Sequence, residues 1–124
     1  MKNALTRTQL LTNGDMSTSS LTSAVLEIQY LDDIGVQLNF TGTPTGTFQV
    51  QVSADHQQDA QGNVTTAGNW VPITFSSSPV ASGAAGTVYL DIATLSAPYL
   101  RVVYTRVSGS GTLNVFATGK SLSA

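Results

Sequence analysis

Gly46–Ser53 reads GTFQVQVS, with Phe48, Val50 and Val52 alternating against Thr47, Gln49 and Gln51. Successive side chains on a strand point to opposite faces, so this stretch has one face in a core and one in water. The same alternation recurs outward from it. IGVQLNF sets Val36, Leu38 and Phe40 against Gln37 and Asn39, and TVYLDI turns Val88, Leu90 and Ile92 inward. YLRVVYTRV does the same with Leu100, Val102 and Tyr104. AVLEIQYL (Ala24 to Leu31) reads as a first strand and TLNVFATG (Thr112 to Gly119) as a last one. The wet positions hold Gln, Asn, Thr and Ser in place of Lys and Glu, which suits packing against other protein.

Turn chemistry separates these runs: Asp32-Asp33, TGTPTG (Thr41 to Gly46), SSSPVASGAAG (Ser76 to Gly86), ATLSAP (Ala93 to Pro98) and SGSG (Ser108 to Gly111). The runs flanking TGTPTG are expected to pair as a hairpin, and so are those flanking SGSG. WVPITF (Trp70 to Phe75) carries Pro72, which has no N–H to give a ladder and so belongs at an edge. Roughly seven or eight strands and no convincing helix predict an all-β fold, a single antiparallel β-sandwich of jelly-roll or immunoglobulin-like topology. Residues 1–23 are polar, and Leu5, Leu10, Leu11, Met16 and Leu21 follow neither a helical nor a strand period. They are expected to form an extended N-terminal arm, ordered against the domain or a neighbour, ahead of a sandwich domain at 24–124.

The 124 residues suffice for one domain with one two-sheet core. Charged residues make up 10%, far below the usual quarter or so. Net charge is −2, and Lys2, Arg7, Arg101, Arg106 and Lys120 are scattered. Nucleic-acid binding needs clustered cations to displace counterions from phosphates, so that role is excluded. No apolar run approaches the roughly 20 residues of a membrane span. The N-terminus, MKNALTRTQLLTNGD, breaks its apolar positions too often for a secretory signal. Cysteine is absent, which removes disulfides, thiolate nucleophiles and cysteine metal sites together and fits cytoplasmic synthesis.

Chemistry-bearing residues are few. The long polar loop DHQQDAQGNVTTAGN (Asp55 to Asn69) holds the one histidine, His56, beside Asp55 and near Asp59. A metal needs three or four converging ligands and Ca²⁺ needs more carboxylates at alternating positions, so a solvated loop is the simpler reading. His56 at a subunit contact is the other. Glu27, Asp32, Asp33, Asp55, Asp59 and Asp91 offer no marked pair for glycoside hydrolysis, and no GxSxG elbow supports a Ser–His–Asp triad. Neither a metal, nor a cofactor, nor an enzymatic activity is expected. Trp70, with Tyr89, Tyr99 and Tyr104, reads first as a plug at the end of the core and second as a sugar platform. Arg101 and Arg106 fall on opposite faces of one strand, one solvated and one free to pair with a carboxylate or a neighbouring subunit.

Two stretches carry a resemblance. FQVQVSAD followed, after a variable loop, by NWVPITF resembles a pattern of galactose-binding-like modules and of small phage virion proteins. APYLRVVYTRVSGSGTLNVFATGK (Ala97 to Lys120) is similar to the C-terminal hairpin of small tailed-phage structural proteins, including capsid cement or decoration proteins built as jelly-roll-like sandwiches. The resemblance covers about half the chain. It implies a module on the outer surface of the head, a virion protein assembled in the host cytoplasm. It also implies a homo-oligomer, a trimer in the first instance, that bridges major capsid protein subunits. Leu5, Leu10 and Leu11 would then anchor an arm, and His56, Trp70 and Arg106 complete the candidate partner contacts. The alternatives are another virion component (tail, head–tail or spike-associated) and a carbohydrate-binding sandwich that uses Trp70.

Overall fold

The computed structural model describes residues 5–28, 33–73, 75, 79–93 and 98–120. Among them lie twelve extended segments and no helix: β1 (Leu5–Asp15), β2 (Ser20–Thr22), β3 (Leu26–Glu27), β4 (Asp33–Phe40), β5 (Thr45–Ser53), β6 (Gln57–Gln58), β7 (Val64–Thr66), β8 (Val71–Pro72), β9 (Val80–Ser82), β10 (Gly86–Ala93), β11 (Tyr99–Ser108) and β12 (Thr112–Lys120). The first sheet has the order β1-β12-β4-β10. In the second, β11 and β5 are central, with β2 and β3 in succession along β11 and β8 and β9 along β5. A ribbon of β6 and β7 stands apart, and every pairing is antiparallel.

Taking β2 with β3 and β8 with β9 as interrupted strands, the chain changes sheet at every connection except the one from β5 to β8. That strand order is a jelly roll, which decides between the two expected topologies. Both expected hairpins are thereby corrected: β4 and β5 lie in different sheets, and so do β11 and β12. TGTPTG and SGSG reverse the chain by crossing from one sheet to the other. Their crossings run side by side, with the Thr41 N–H donating to Thr112 O at 3.0 Å and the Thr43 N–H to Ser110 O at 2.8 Å. Approach this close needs glycine. A Cβ on Gly111 would strike the Thr41 carbonyl, and one on Gly109, whose φ is +78°, would strike that of Thr43.

The core fills the space between the sheets. Ile34, Val36, Leu38 and Phe40 of β4 and Leu113, Val115 and Ala117 of β12 face Phe48 and Val50 of β5 and Leu100, Val102 and Tyr104 of β11. Phe48 touches rings on both sides, Phe40 at 5.4 Å and Tyr104 at 5.0 Å between centroids, which ties the sheets together. Burying each large apolar side chain contributes about 1.5–3 kcal/mol.

The N-terminal segment differs from the expected arm. β1 pairs with β12 from Leu5 opposite Lys120 to Asp15 opposite Thr112, and Leu10 and Met16 are buried. It is an edge strand of the sandwich, and β2 of the same segment joins the other sheet, so no boundary falls at residue 23. Register shifts between Gln9 and Leu11 and between Leu11 and Gly14 explain the irregular apolar spacing, because each bulge offsets the alternation by a residue. The expected strand at 24–31 is reduced among the described residues to β3, and 29–32 lie outside them. Ser23 fills the gap before it: its backbone N–H bonds Val102 O at 2.8 Å, and its Oγ accepts the Val102 N–H at 2.8 Å.

Candidate functional site

The most organised surface lies where the loop after β5 returns to β8. The Asp55 carboxylate accepts the Asn69 backbone N–H at 2.8 Å, the Asn69 side-chain amide at 2.8 Å and the Ser53 hydroxyl at 2.9 Å. These bonds, led by those from Asn69, lower its pKa from 3.8 to about 2 and cinch the loop at its base. His56 sits inside that cinch, only 4% exposed. Its N–H donates to Ser53 Oγ at 3.0 Å, and its Nδ1 and Nε2 lie 3.0 Å from Ala67 O and Gln58 Oε1. Its ring packs edge-on against Tyr99 at 4.9 Å and tilted against Trp70 at 5.2 Å. No group of three or more potential metal ligands occurs among the described residues. His56 therefore props Trp70 from within and presents almost no surface of its own.

Trp70 is half-buried and carries the Arg101 guanidinium over its ring at 4.3 Å. Such a contact contributes about 0.5–1 kcal/mol when exposed and more when desolvated. Arg101 Nε donates to Gln51 Oε1 at 2.9 Å, and Gln51 Nε2 donates in turn to Gln49 Oε1 at 3.1 Å. The result is a polarised line of bonds across the outward face of β11 and β5. Burial lowers the Arg101 pKa below the ordinary arginine value, yet guanidinium stays charged in proteins. Beside the stack lies a hollow of about 350 Å³, bordered by Val25, Val64, Ala67 and Arg101.

Of the six candidate contacts, the structure brings together His56 and Trp70. Arg106 stands at the far end of β11, where its Nε donates to Gly109 O at 2.8 Å and braces a crossing. Leu10 is in the core, Leu11 is half-buried against it, and the side chain of Leu5 lies outside the described residues. With a guanidinium on its ring, Trp70 is not an open platform for a sugar. Arg101 and Gln51 were the missed members. The alternation of Arg101 with Leu100, Val102 and Tyr104 puts it on the face away from the core, but nothing in the sequence shows that the loop folds Trp70 beneath it.

No known family model matches the sequence, and no curated protein does. Among solved structures the chain is similar to the SPBc2 prophage-derived protein YomS, with a TM-score of 0.56 and 16% identity over 98% of this chain and 96% of that one. It is also similar to part of a chain of infectious bursal disease virus, Gx strain, with a TM-score of 0.54 and 9% identity. There it covers 100% of this chain and 33% of the viral one. At these identities the likeness is one of fold, shared with a prophage protein and a virus protein.

Proposed function

We propose that the chain is a non-enzymatic structural component of a tailed-phage virion, a cement protein that binds the outer surface of the head and bridges major capsid protein subunits. The observation that carries this reading is the pre-ordered face of Trp70, Arg101, Gln51 and Gln49. These side chains already hold one another, so docking avoids much of the 0.5–1.5 kcal/mol or so that each immobilised long side chain costs. Tryptophan and arginine are the types that dominate interface energetics, and amides add hydrogen bonds without the desolvation cost of carboxylates or ammonium groups. The fold it shares with a prophage protein and a virus protein supports the same reading. Contacts that exist only in the assembled shell stabilise that shell by mass action, which requires no reaction.

The test is to fractionate virions of the source phage into heads and tails and to add the purified chain back to heads that lack it. Retention at a stoichiometry set by head symmetry, with a higher rupture temperature, is expected. Trp70→Ala should weaken retention at least tenfold, about 1.4 kcal/mol, while the chain still unfolds cooperatively. Recovery on tails alone would move the assignment to another virion component, and absence from virions would end it.

A further inference from the structure

The opposite sheet carries a surface of different chemistry. Across its outward side the register aligns Gln9, Phe116, Gln37 and Tyr89 in one row and Arg7, Thr118, Gly35 and Asp91 in the next. A groove of about 300 Å³ runs among Arg7, Gln37, Asn39, Tyr89, Phe116 and Thr118. The Arg7 guanidinium lies 4.9 Å from the centre of the Phe116 ring, and Gln37 Nε2 donates to Asn39 Oδ1 at 3.1 Å. Tyr89 is 57% exposed, unusual for a ring on a small sheet.

Gly35 explains how that ring is held. It sits mid-strand without a left-handed φ, so no turn requires glycine there. A Cβ at this position would collide with the Tyr89 hydroxyl and lie 2.9 Å from Thr118 Oγ1. The missing side chain makes a notch into which the end of the tyrosine settles. Glycine inside a strand costs roughly 0.5–1 kcal/mol relative to alanine, and it marks places where something approaches the backbone closely. The exposed ring is therefore seated in a fixed pose at the expense of strand stability.

We infer that this groove binds a neutral oligosaccharide. A pyranose presents an apolar C–H face and a rim of hydroxyls that both donate and accept. Tyr89 offers flat apolar surface for the first, beside a Phe116 ring that the Arg7 guanidinium already covers. The amides of Gln37 and Asn39 combine donor and acceptor for the second, and Arg7 adds a fork of donors. Polyanions fit poorly, because Arg7 is the one cation lining the groove among the described residues and Asp91 lies in the neighbouring row. The volume is at the low end for small-ligand clefts. This site is independent of the head-binding proposal, since it occupies the other sheet.

The experiment is to screen the purified chain against an immobilised panel of neutral hexose and N-acetylhexosamine oligosaccharides, then titrate the retained ones by calorimetry. Tyr89→Ala, at an exposed position that leaves the core intact, should lower affinity at least tenfold. Gly35→Ala should do so too by unseating the ring. Displacement of the panel ligand by polysaccharide from the host envelope would support the site with the cell surface as its source, and failure to displace it would support a free sugar. No retention at millimolar oligosaccharide, retention of uronic-acid or sulfated members only, or unchanged affinity in Tyr89→Ala would each overturn the assignment. So would loss of binding in Trp70→Ala with Tyr89→Ala unaffected.

Discussion

Replacing Gly111 with alanine separates a crossing between sheets from the hairpin that SGSG suggests. The backbone at Gly111 is not in the left-handed region. In a solvent-exposed hairpin turn, alanine would restrict the unfolded chain and stabilise the protein by about 0.4–1 kcal/mol. In the observed crossing, the new Cβ runs into the Thr41 carbonyl oxygen and lies 3.0 Å from its carbon and 3.4 Å from Pro44 Cδ. Relief requires the two crossings to part. That weakens the bonds from the Thr41 N–H to Thr112 O (3.0 Å), the Thr43 N–H to Ser110 O (2.8 Å) and the Met16 N–H to Gly111 O (2.9 Å). At about 0.5–1.5 kcal/mol for each bond, the loss is roughly 1.5–4.5 kcal/mol, opposite in sign to the hairpin expectation. For a chain of this size the melting temperature should fall by roughly 5–25 °C. Urea unfolding followed by the fluorescence of Trp70, the single tryptophan, measures it directly. A variant as stable as the parent, or more so, would refute the packing of the crossings.

Leu10→Ala should cost about 2–5 kcal/mol in the same assay, because Leu10 is 5% exposed in the core; a cost near zero would return the segment to a free arm. The buried Tyr104 hydroxyl has no hydrogen-bond partner among the described residues, so Tyr104→Phe should leave stability unchanged or raise it by up to about 1 kcal/mol. A comparable loss in that variant would show that the hydroxyl is bonded. Asp55 has a depressed pKa, about 2 in the fold against 3.8, so its contribution is present above pH 3.8 and is lost as pH falls toward 2. Trp70 emission should therefore shift between pH 4 and 2 in the parent and not in Asp55→Ala.

Strand identity was legible wherever a strand is regular. Val36, Leu38 and Phe40, Phe48 and Val50, and Leu100, Val102 and Tyr104 alternate in the sequence and are buried in the fold. Pro72 announced an edge, and β8 pairs with β5 alone. Legibility ended at two kinds of position. Bulges in β1 break the alternation that would identify it, so Leu10 and Leu11 resembled stray anchors. Turn composition records that the chain reverses but not whether it stays in the same sheet, so both crossings resembled hairpins. The Trp70 and Tyr89 surfaces depend on what lies across a sheet or under a loop. Arg101 reaches Gln51 from fifty residues away, and Gly35 makes room for a ring on β10, relations no local window contains.

The seating of β12 between β1 and β4 has a temporal consequence. β1 and β4 do not pair with each other, so the first sheet stays split until the chain has been synthesised through residue 120. Until then β1 and β4 each wait with an unpaired edge facing the gap, a state that invites aggregation. Closure of this sheet is therefore governed by residues 112–120, and a nascent chain halted before them has nothing to close the seam.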